Sequence, residues 1–387
     1  MKVTSRIECT GGSRERPYWR ATWIWIGKLA MYFDHRLITR NRSLLVLPVL
    51  VVMMLVVSIM SLGVGAVAVP FTDVTGIVFK AIGFPLTTEY SAINVAVVES
   101  IRMPRVILGI LVGASLAVCG TALQGLFRNP LADPALVGVS SGAALGAVTV
   151  IVLSQSVLFS VSQFLGSYLL PLSAFVGGVL VTLIVYRLAQ TGQRTEVTTL
   201  LLAGIAVGSL SSAGTGLLTY MADDFQLRTL TFWSMGSLGG ITWSKLSVSA
   251  VLMLIAIFVI PTQARPLNAL LLGESEAMHL GFDLQRTKRL LILLIALGVG
   301  AAVSVSGIIG FIGLVTPHLV RLVLGPDHRI LLPASALVGA SLLLLADLFA
   351  RTIVAPSELP IGIVTALVGG PFFIWLLMKY RRQGGIR

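Results

Sequence analysis

LLILLIALGVGAAVSVSGIIGFIGLVTPHLV, residues 290–320, contains no Asp, Glu, Lys or Arg. A helix needs about 20 apolar residues to cross the hydrocarbon core of a bilayer, so this run is long for one crossing and tight for two. Its glycine-rich middle, VSGIIGFIG (305–313), offers a place to reverse direction. With one crossing, the basic stretch RTKR (286–289) and Arg321 lie on opposite faces; with two, they share a face. The bias of Lys and Arg toward the inner face favours two.

Working outward, the other uncharged runs fall at 43–72, 106–127, 134–186, 197–222, 246–264, 330–346 and 359–378. The run 134–186 is long enough for two crossings and carries a polar hinge, SQSVLFSVSQ (154–163). The run 330–346 is short and is expected to extend through Asp347 towards Arg351. The expected fold is all-α and polytopic, with about ten transmembrane helices. With 56% hydrophobic and 11% charged residues in 387, and a mean hydropathy of +0.94, an ordinary soluble domain is excluded. On the ten-span topology with an inner N-terminus, 22 of the 28 Lys and Arg fall inside, leaving Lys80, Arg102, Arg105, Arg228, Lys245 and Arg351 outside. Both termini are then cytoplasmic. The net charge of +12 follows from the inner segments and tails, which implies contact with anionic membrane lipid and no nucleic acid.

Three regions result: a basic cytoplasmic extension (1–42), a transmembrane domain (43–380) and a basic tail (381–387). The extension holds nine Lys and Arg and the stretch YWRATWIWIGKLAMYF (18–33), read as an interfacial anchor or a disordered tail. Cys9 and Cys119 lie too far apart in this topology to pair, and neither belongs to a metal-binding spacing.

LFRNPLADPALVG (126–138) interrupts two apolar runs with Pro130 and Pro134, which bar a continuous helix, while Arg128, Asn129 and Asp133 can satisfy backbone groups at a sharp turn. Read with its surroundings, RMPRVILGILVGASLAVCGTALQGLFRNPLADPALVGVSSGAALG (102–146) resembles the FecCD/cobalamin-type permease subunits of type II ABC importers for iron-siderophores, heme and cobalamin. The resemblance returns in RPLNALLLGESEAMHLGFDLQRTKR (265–289), in GFIGLVTPHLVRLVLGPDHRILLPASALVGASLLLLADLFAR (310–351) and in ELPIGIVTALVGGPFFIWLL (358–377). It covers about residues 44–380; the long basic N-terminus departs from it.

The resemblance implies a homodimer with a pathway at the dimer interface, two cytoplasmic ABC ATPase subunits and a periplasmic substrate-binding protein, in the bacterial inner membrane. It implies no cofactor bound by this chain, with ATP and Mg used by the partner ATPase. Residues 265–289 read independently as a short amphipathic helical pair. In the resembling family this position couples to the ATPase, which makes Gly273, Glu274, Ala277, Leu280 and Gly281 the candidates for that contact. Arg102, Arg105 and Arg351 stand at the outer ends of spans, where lipid-headgroup snorkelling is one explanation. The other, implied by the resemblance, is charge pairing with acidic groups of the binding protein, with bidentate forks fixing orientation. Glu358, on the same side, is placed to balance Arg351. Val197 and Thr198 match the position of the family's cytoplasmic gate.

TFWSMGSLGGITW (231–243) joins belt aromatics to a flexible Gly-rich turn, and its FWSMGSLGG is more similar to the heme permeases than to the cobalamin ones. No transmembrane His or Tyr pair is placed to ligate heme iron. His279, His318 and His328 all fall near the cytoplasmic face, as solvated or hydrogen-bonded groups. GVSSG (138–142) fits the G-x-S-x-G pattern without a suitable His and acid, and reads as accidental. Gly109/Gly113, Gly142/Gly146 and Gly204/Gly208 fit close helix packing. The G-x-x-x-x-G-K-[ST] phosphate loop does not occur, so the chain has no catalytic residues of its own for ATP hydrolysis. Faint similarity between the second span onwards and the seventh onwards suggests an inverted repeat. Two rival readings remain: an ion-coupled secondary transporter, expected to carry mid-membrane carboxylates, and an intramembrane hydrolase built on Ser140.

Overall fold

The computed structural model describes residues 46–382 apart from 66, 82, 85–89 and 192–193; the expectations for the N-terminal extension, Cys9 and the final residues 383–387 lie outside these. Within Leu47–Arg387, one of two compact units, the chain is helical almost throughout. The helices are α1 (Val46–Gly63), α2 (Phe71–Ala81), α3 (Ala92–Phe127), α4 (Val139–Leu153), α5 (Phe159–Leu188), α6 (Val197–Tyr220) and α7 (Asp224–Met235). They continue as α8 (Trp243–Val259), α9 (Ala264–Leu272), α10 (Glu274–His279), α11 (Leu284–Ser306), α12 (Ile312–Leu324), α13 (His328–Thr352) and α14 (Ile361–Arg382). A two-residue antiparallel pairing, Gln190↔Thr195 and Thr191↔Arg194, joins α5 to α6. Seven of the described helical stretches are long and apolar enough to cross a bilayer; three shorter apolar helices, Val139–Leu153, Ile312–Leu324 and Ile361–Leu376, fall where the sequence places further crossings.

The run 290–320 does reverse. α11 ends at Ser306, Gly307 takes a left-handed φ of 69°, Phe311 does the same, and α12 starts at Ile312. Arg321 in the last turn of α12 then donates to Gln124 near the end of α3, at 3.0 Å. Gly125 beside it lies against His328 and Leu267, and α9 leads to Glu274 at the start of α10, which pairs with Lys288 in the RTKR stretch. Both basic segments therefore share one end of the bundle, called here the Gln124 end. With 13 residues, α12 spans only about 20 Å at 1.5 Å per residue, and the irregular segment 307–311 precedes it on the return.

Helix α3 forms the axis. Its most apolar window is 89% buried, against 17% for α6, which therefore runs along the periphery of the single chain. α3 packs on α8, α11, α12 and α13. Lipid is as apolar as leucine, so helices associate in it by close packing, and small residues permit that. A Cβ on Gly113 would overlap the Gly339 carbonyl of α13, and one on Gly120 the Gly313 carbonyl of α12. Gly142 and Gly146 meet α5 at Gly177 and Ser173 in the same way, and Gly204 meets Leu136, while Gly208 finds only the Ser141 hydroxyl at 3.5 Å. The packing also repeats: α3 lies on α13 as α11 lies on α5, and α3 and α11 start from opposite ends, as the inverted repeat requires.

The stretch 126–138 is a built turn. Arg128 ends α3 in the left-handed conformation, the Asn129 carboxamide accepts from Leu131 N–H at 2.9 Å, and Asp133 accepts from Ala135 N–H at 2.8 Å to open the 3₁₀ turn Pro134–Val137. Gly138, with φ of 83°, then admits α4. Helix α2 was not legible as a separate element: its Val74 and Ile77 pack with Val98 of α3, and Asn94 donates to Asp73 at 2.8 Å.

Candidate functional site

Two constellations of polar residues stand at opposite ends of the bundle. The first is built on α3, where the stretch Val97–Arg102 is π-helical and runs directly into α-helix at Met103. Such a bulge changes which side chains face inward. Both Arg102 and Arg105 are buried. Arg105 Nε donates to both oxygens of Asp347 at 3.1 and 3.2 Å, and its terminal nitrogens reach Glu358 Oε1 at 2.8 Å and Oε2 at 3.0 Å. Arg351, one turn beyond Asp347 on α13, lies 3.5 Å from that carboxylate and donates to the Ser61 hydroxyl at 2.7 Å. Arg102 donates to the carbonyls of Leu62 and Gly63 at 2.6 and 2.7 Å and to that of Val67, satisfying the frayed end of α1.

The three arginines expected to present charge outward are thus turned inward, each engaged by the chain itself. The physical reason is that a guanidinium taken out of water needs fixed acceptors to offset its desolvation, and the packed helices supply carboxylates and helix-end carbonyls at this end. Glu358 pairs with Arg105, not with Arg351 as the sequence suggested, and its side chain keeps 46% of its exposure. Its carboxyl is held below the usual carboxylate range chiefly by the Arg105 hydrogen bonds, against the opposing effect of burial. Three guanidiniums face two carboxylates, so the cluster carries one excess positive charge. Asp347, which sequence reasoning left at a span end, lies inside α13 and is 1% exposed. The available signal was its i,i+4 spacing to Arg351 within an otherwise apolar helix.

The Gly-rich stretch 236–240 closes over this cluster. It is pinned rather than loose: Ser237 N–H donates to Ser306 O at 2.7 Å, Ile361 N–H donates to Gly236 O at 3.1 Å, and Leu238 is buried. Trp243 donates through its indole to Glu99 O at 3.0 Å.

The second constellation, at the Gln124 end, is the helical pair α9 and α10. Gly273 joins them with φ of 133°, and Gly281 ends the motif with φ of 83°. Lys288, almost fully buried, holds Glu274 through both oxygens at 2.8 and 2.9 Å. Asn268 ties α9 to the start of α13 through Asp327 at 2.6 Å and His328 N–H at 2.9 Å. Of the candidates, Leu280 is exposed, as are Leu271, Leu272 and Met278, while Ala277 is wholly buried and packs inward. Glu274 and Ala277 therefore hold the motif together, and the leucines and Met278 form its outer apolar face.

Val197 and Thr198 open α6 at the same end, half-buried and exposed respectively. Along α6 the exposed side includes Leu202, Ile205, Leu210 and Leu217; α14 exposes Leu367, Val368, Ile374 and Trp375. His318 is buried and meets Phe372 edge-on at 5.8 Å, His328 is hydrogen-bonded to Asn268, and His279 is exposed. Among the described residues, no group of three or more metal-ligating side chains comes together.

Residues 53–379 match the FecCD transport family. The chain is 51% identical over 284 residues to the hemin transport system permease protein HmuU of Yersinia pestis, covering 73% of this chain and 84% of that one. It is 46% identical over 281 residues to the cobalamin import system permease protein BtuC of Halobacterium salinarum, covering 73% of each. Among solved structures, an inward-facing metal-chelate type ABC transporter superposes with a TM-score of 0.71 at 32% identity, covering 86% of this chain and 99% of that one.

Proposed function

The chain belongs to the FecCD transport family and is a multi-pass ABC importer permease; from that premise we propose that its cargo is hemin, received from a periplasmic binding protein and moved across the bacterial inner membrane. The observation that carries the cargo assignment is the 51% identity to a hemin permease. Two copies of the chain enclose the pathway between the exposed faces of α6 and α14, with Val197 and Thr198 at its cytoplasmic gate. Two ATPase subunits seat against α9 and α10, and both termini are cytoplasmic. ATP and Mg are used by those subunits, since this chain has no phosphate loop and binds no cofactor of its own.

The geometry supports a mechanical division of labour. The coupling pair is fastened to α11 by Lys288–Glu274 and to α13 by Asn268–Asp327, so a displacement imposed at the ATPase is carried into the two helices that run to the opposite end. There, Ser306 of α11 holds the Gly-rich turn, and Asp347 of α13 holds the arginine cluster. Arg102, Arg105 and Arg351 then form the floor of the docking face: an acidic side chain of the binding protein engages Arg105 in competition with the half-exposed Glu358. Asp347 is matched by two guanidiniums, which argues against the proton-relay carboxylate an ion-coupled transporter needs.

The test is uptake into proteoliposomes holding this chain, its ATPase and its binding protein, with hemin, a ferric siderophore and cobalamin offered in parallel. ATP-dependent hemin uptake is expected. Uptake of cobalamin or siderophore alone overturns the cargo, and uptake without ATP overturns the coupling.

A further inference from the structure

Lys245 sits against the inside bias of basic residues, in the first turn of α8 at the end opposite the coupling pair, two residues after the Trp243 that contacts Glu99. Among the described residues it forms no ion pair. Two cavities meet at its side chain. One, of about 660 Å³, lies where α4 turns into α5 and is lined by Ser154, Gln155, Ser162, Gln163 and Ser167 as well as Lys245. The other, of about 300 Å³, runs between α5, α8 and α11 along Leu172, Phe175, Val248, Leu252 and Val305. The serines of the second cavity offer little to a polar ligand, because Ser249 bonds to Lys245 O at 3.0 Å and Ser304 to Ala301 O at 2.9 Å within their own helices, and Ser162 of the first cavity likewise bonds to Phe159 O at 2.7 Å. No Asp or Glu lines either cavity.

The arrangement is a cationic, hydroxyl- and amide-rich chamber opening into an apolar groove. The α8 N-terminus adds its positive dipole end beside the ammonium. The groove is lined by α5, α8 and α11, beside the exposed Leu172, Leu180, Val248 and Val251, and no residue of α6 or α14, the helices assigned to the pathway, lines it. That is the chemistry of a molecule with an anionic head and an apolar tail, presented on the surface that lipid covers. We propose that Lys245 and these two cavities form a site for an anionic glycerophospholipid of the leaflet opposite α9 and α10. The phosphate lies among Lys245, Ser154, Gln155, Gln163 and Ser167, and one acyl chain lies in the groove. This inference rests only on the membrane-spanning fold, so its failure leaves the import reading untouched, and the reverse.

The experiment uses the full chain in nanodiscs of equal phosphatidylglycerol and phosphatidylcholine, with retained lipid counted by native mass spectrometry after release into detergent. The wild-type chain is expected to retain phosphatidylglycerol over phosphatidylcholine by about fivefold, the effect of one lysine at a membrane surface. Lys245→Gln should lose the preference, Lys245→Arg should keep it, and Val248→Trp, which crowds the exposed edge of the groove, should lower retention of both lipids. An unchanged preference in Lys245→Gln overturns the site. Displacement of phosphatidylglycerol by millimolar inorganic phosphate, or retention unaffected by Val248→Trp, overturns the lipid in favour of a free anion.

Discussion

At the scale of single residues, the decisive group is Asp347. It balances Arg105 from one side and Arg351 from the other within an apolar bundle, so Asp347→Asn leaves three buried guanidiniums facing one carboxylate. Breaking a buried pair costs about 3–5 kcal/mol, which should appear as a large fall in thermal unfolding temperature in detergent. A fall no larger than that of an exposed Asp control would show that solvent already screens the cluster. Glu358 differs because it is half-exposed and its carboxyl titrates below the ordinary range. A depressed folded-state pKa contributes stability that is present above the unfolded value and is lost as pH falls through the depressed one. The stability gap between the wild-type chain and Glu358→Gln should therefore hold near neutrality and close on acidification below about pH 4. A gap that persists in acid would point to packing of the 353–360 segment instead of charge. If Glu358 competes with a docking partner for Arg105, the same variant should bind the partner more tightly, not less.

At the scale of elements, α9 and α10 behave as a rigid bracket with an apolar outer face. Gly273 has room for a Cβ, whose nearest neighbour would stand 3.9 Å away, but its φ of 133° admits other residues only with strain. Gly273→Val should therefore reorient α10 at a cost of about 1–3 kcal/mol and reduce co-purification of the ATPase, with the spans intact by helical content. Leu280→Asp should weaken the same association without altering stability, because Leu280 is exposed. Equal co-purification for both variants would remove the bracket from the coupling interface. The helical pair itself was legible in 265–289, since its apolar residues recur at helical spacing between polar ones. The inward face of Ala277 was not, because burial there depends on how α9 folds back on α10 and on the Lys288–Glu274 pair, neither of which is local.

At the scale of the whole molecule, the single chain leaves α6 only 17% buried along its most apolar window and exposes a row of leucines, isoleucine and serines on it. In a homodimer this face meets its copy or lines the pathway. Cysteines introduced at Ser209 or Ser212, in a background with Cys9 and Cys119 replaced by alanine, should cross-link two copies in native membranes. Cross-linking absent along all of α6, and present along α5 or α8, would move the interface to the face assigned here to lipid.

What the sequence by itself determined is a polytopic helical membrane protein, the reversal near residues 305–313, the turn at 126–138 and the family motifs. Those features follow from the local cost of placing charge in hydrocarbon and from backbone-breaking residues, both of which can be read one segment at a time. Only the tertiary structure decided that α12 is a partial span, that Ala277 faces inward and that the arginines at the outer ends of spans turn into the bundle. Arg105 finds Asp347 and Glu358 across 242 and 253 residues of chain. A pairing at that separation is created by helix packing around Gly113 and Gly339, and no local pattern of hydropathy encodes it.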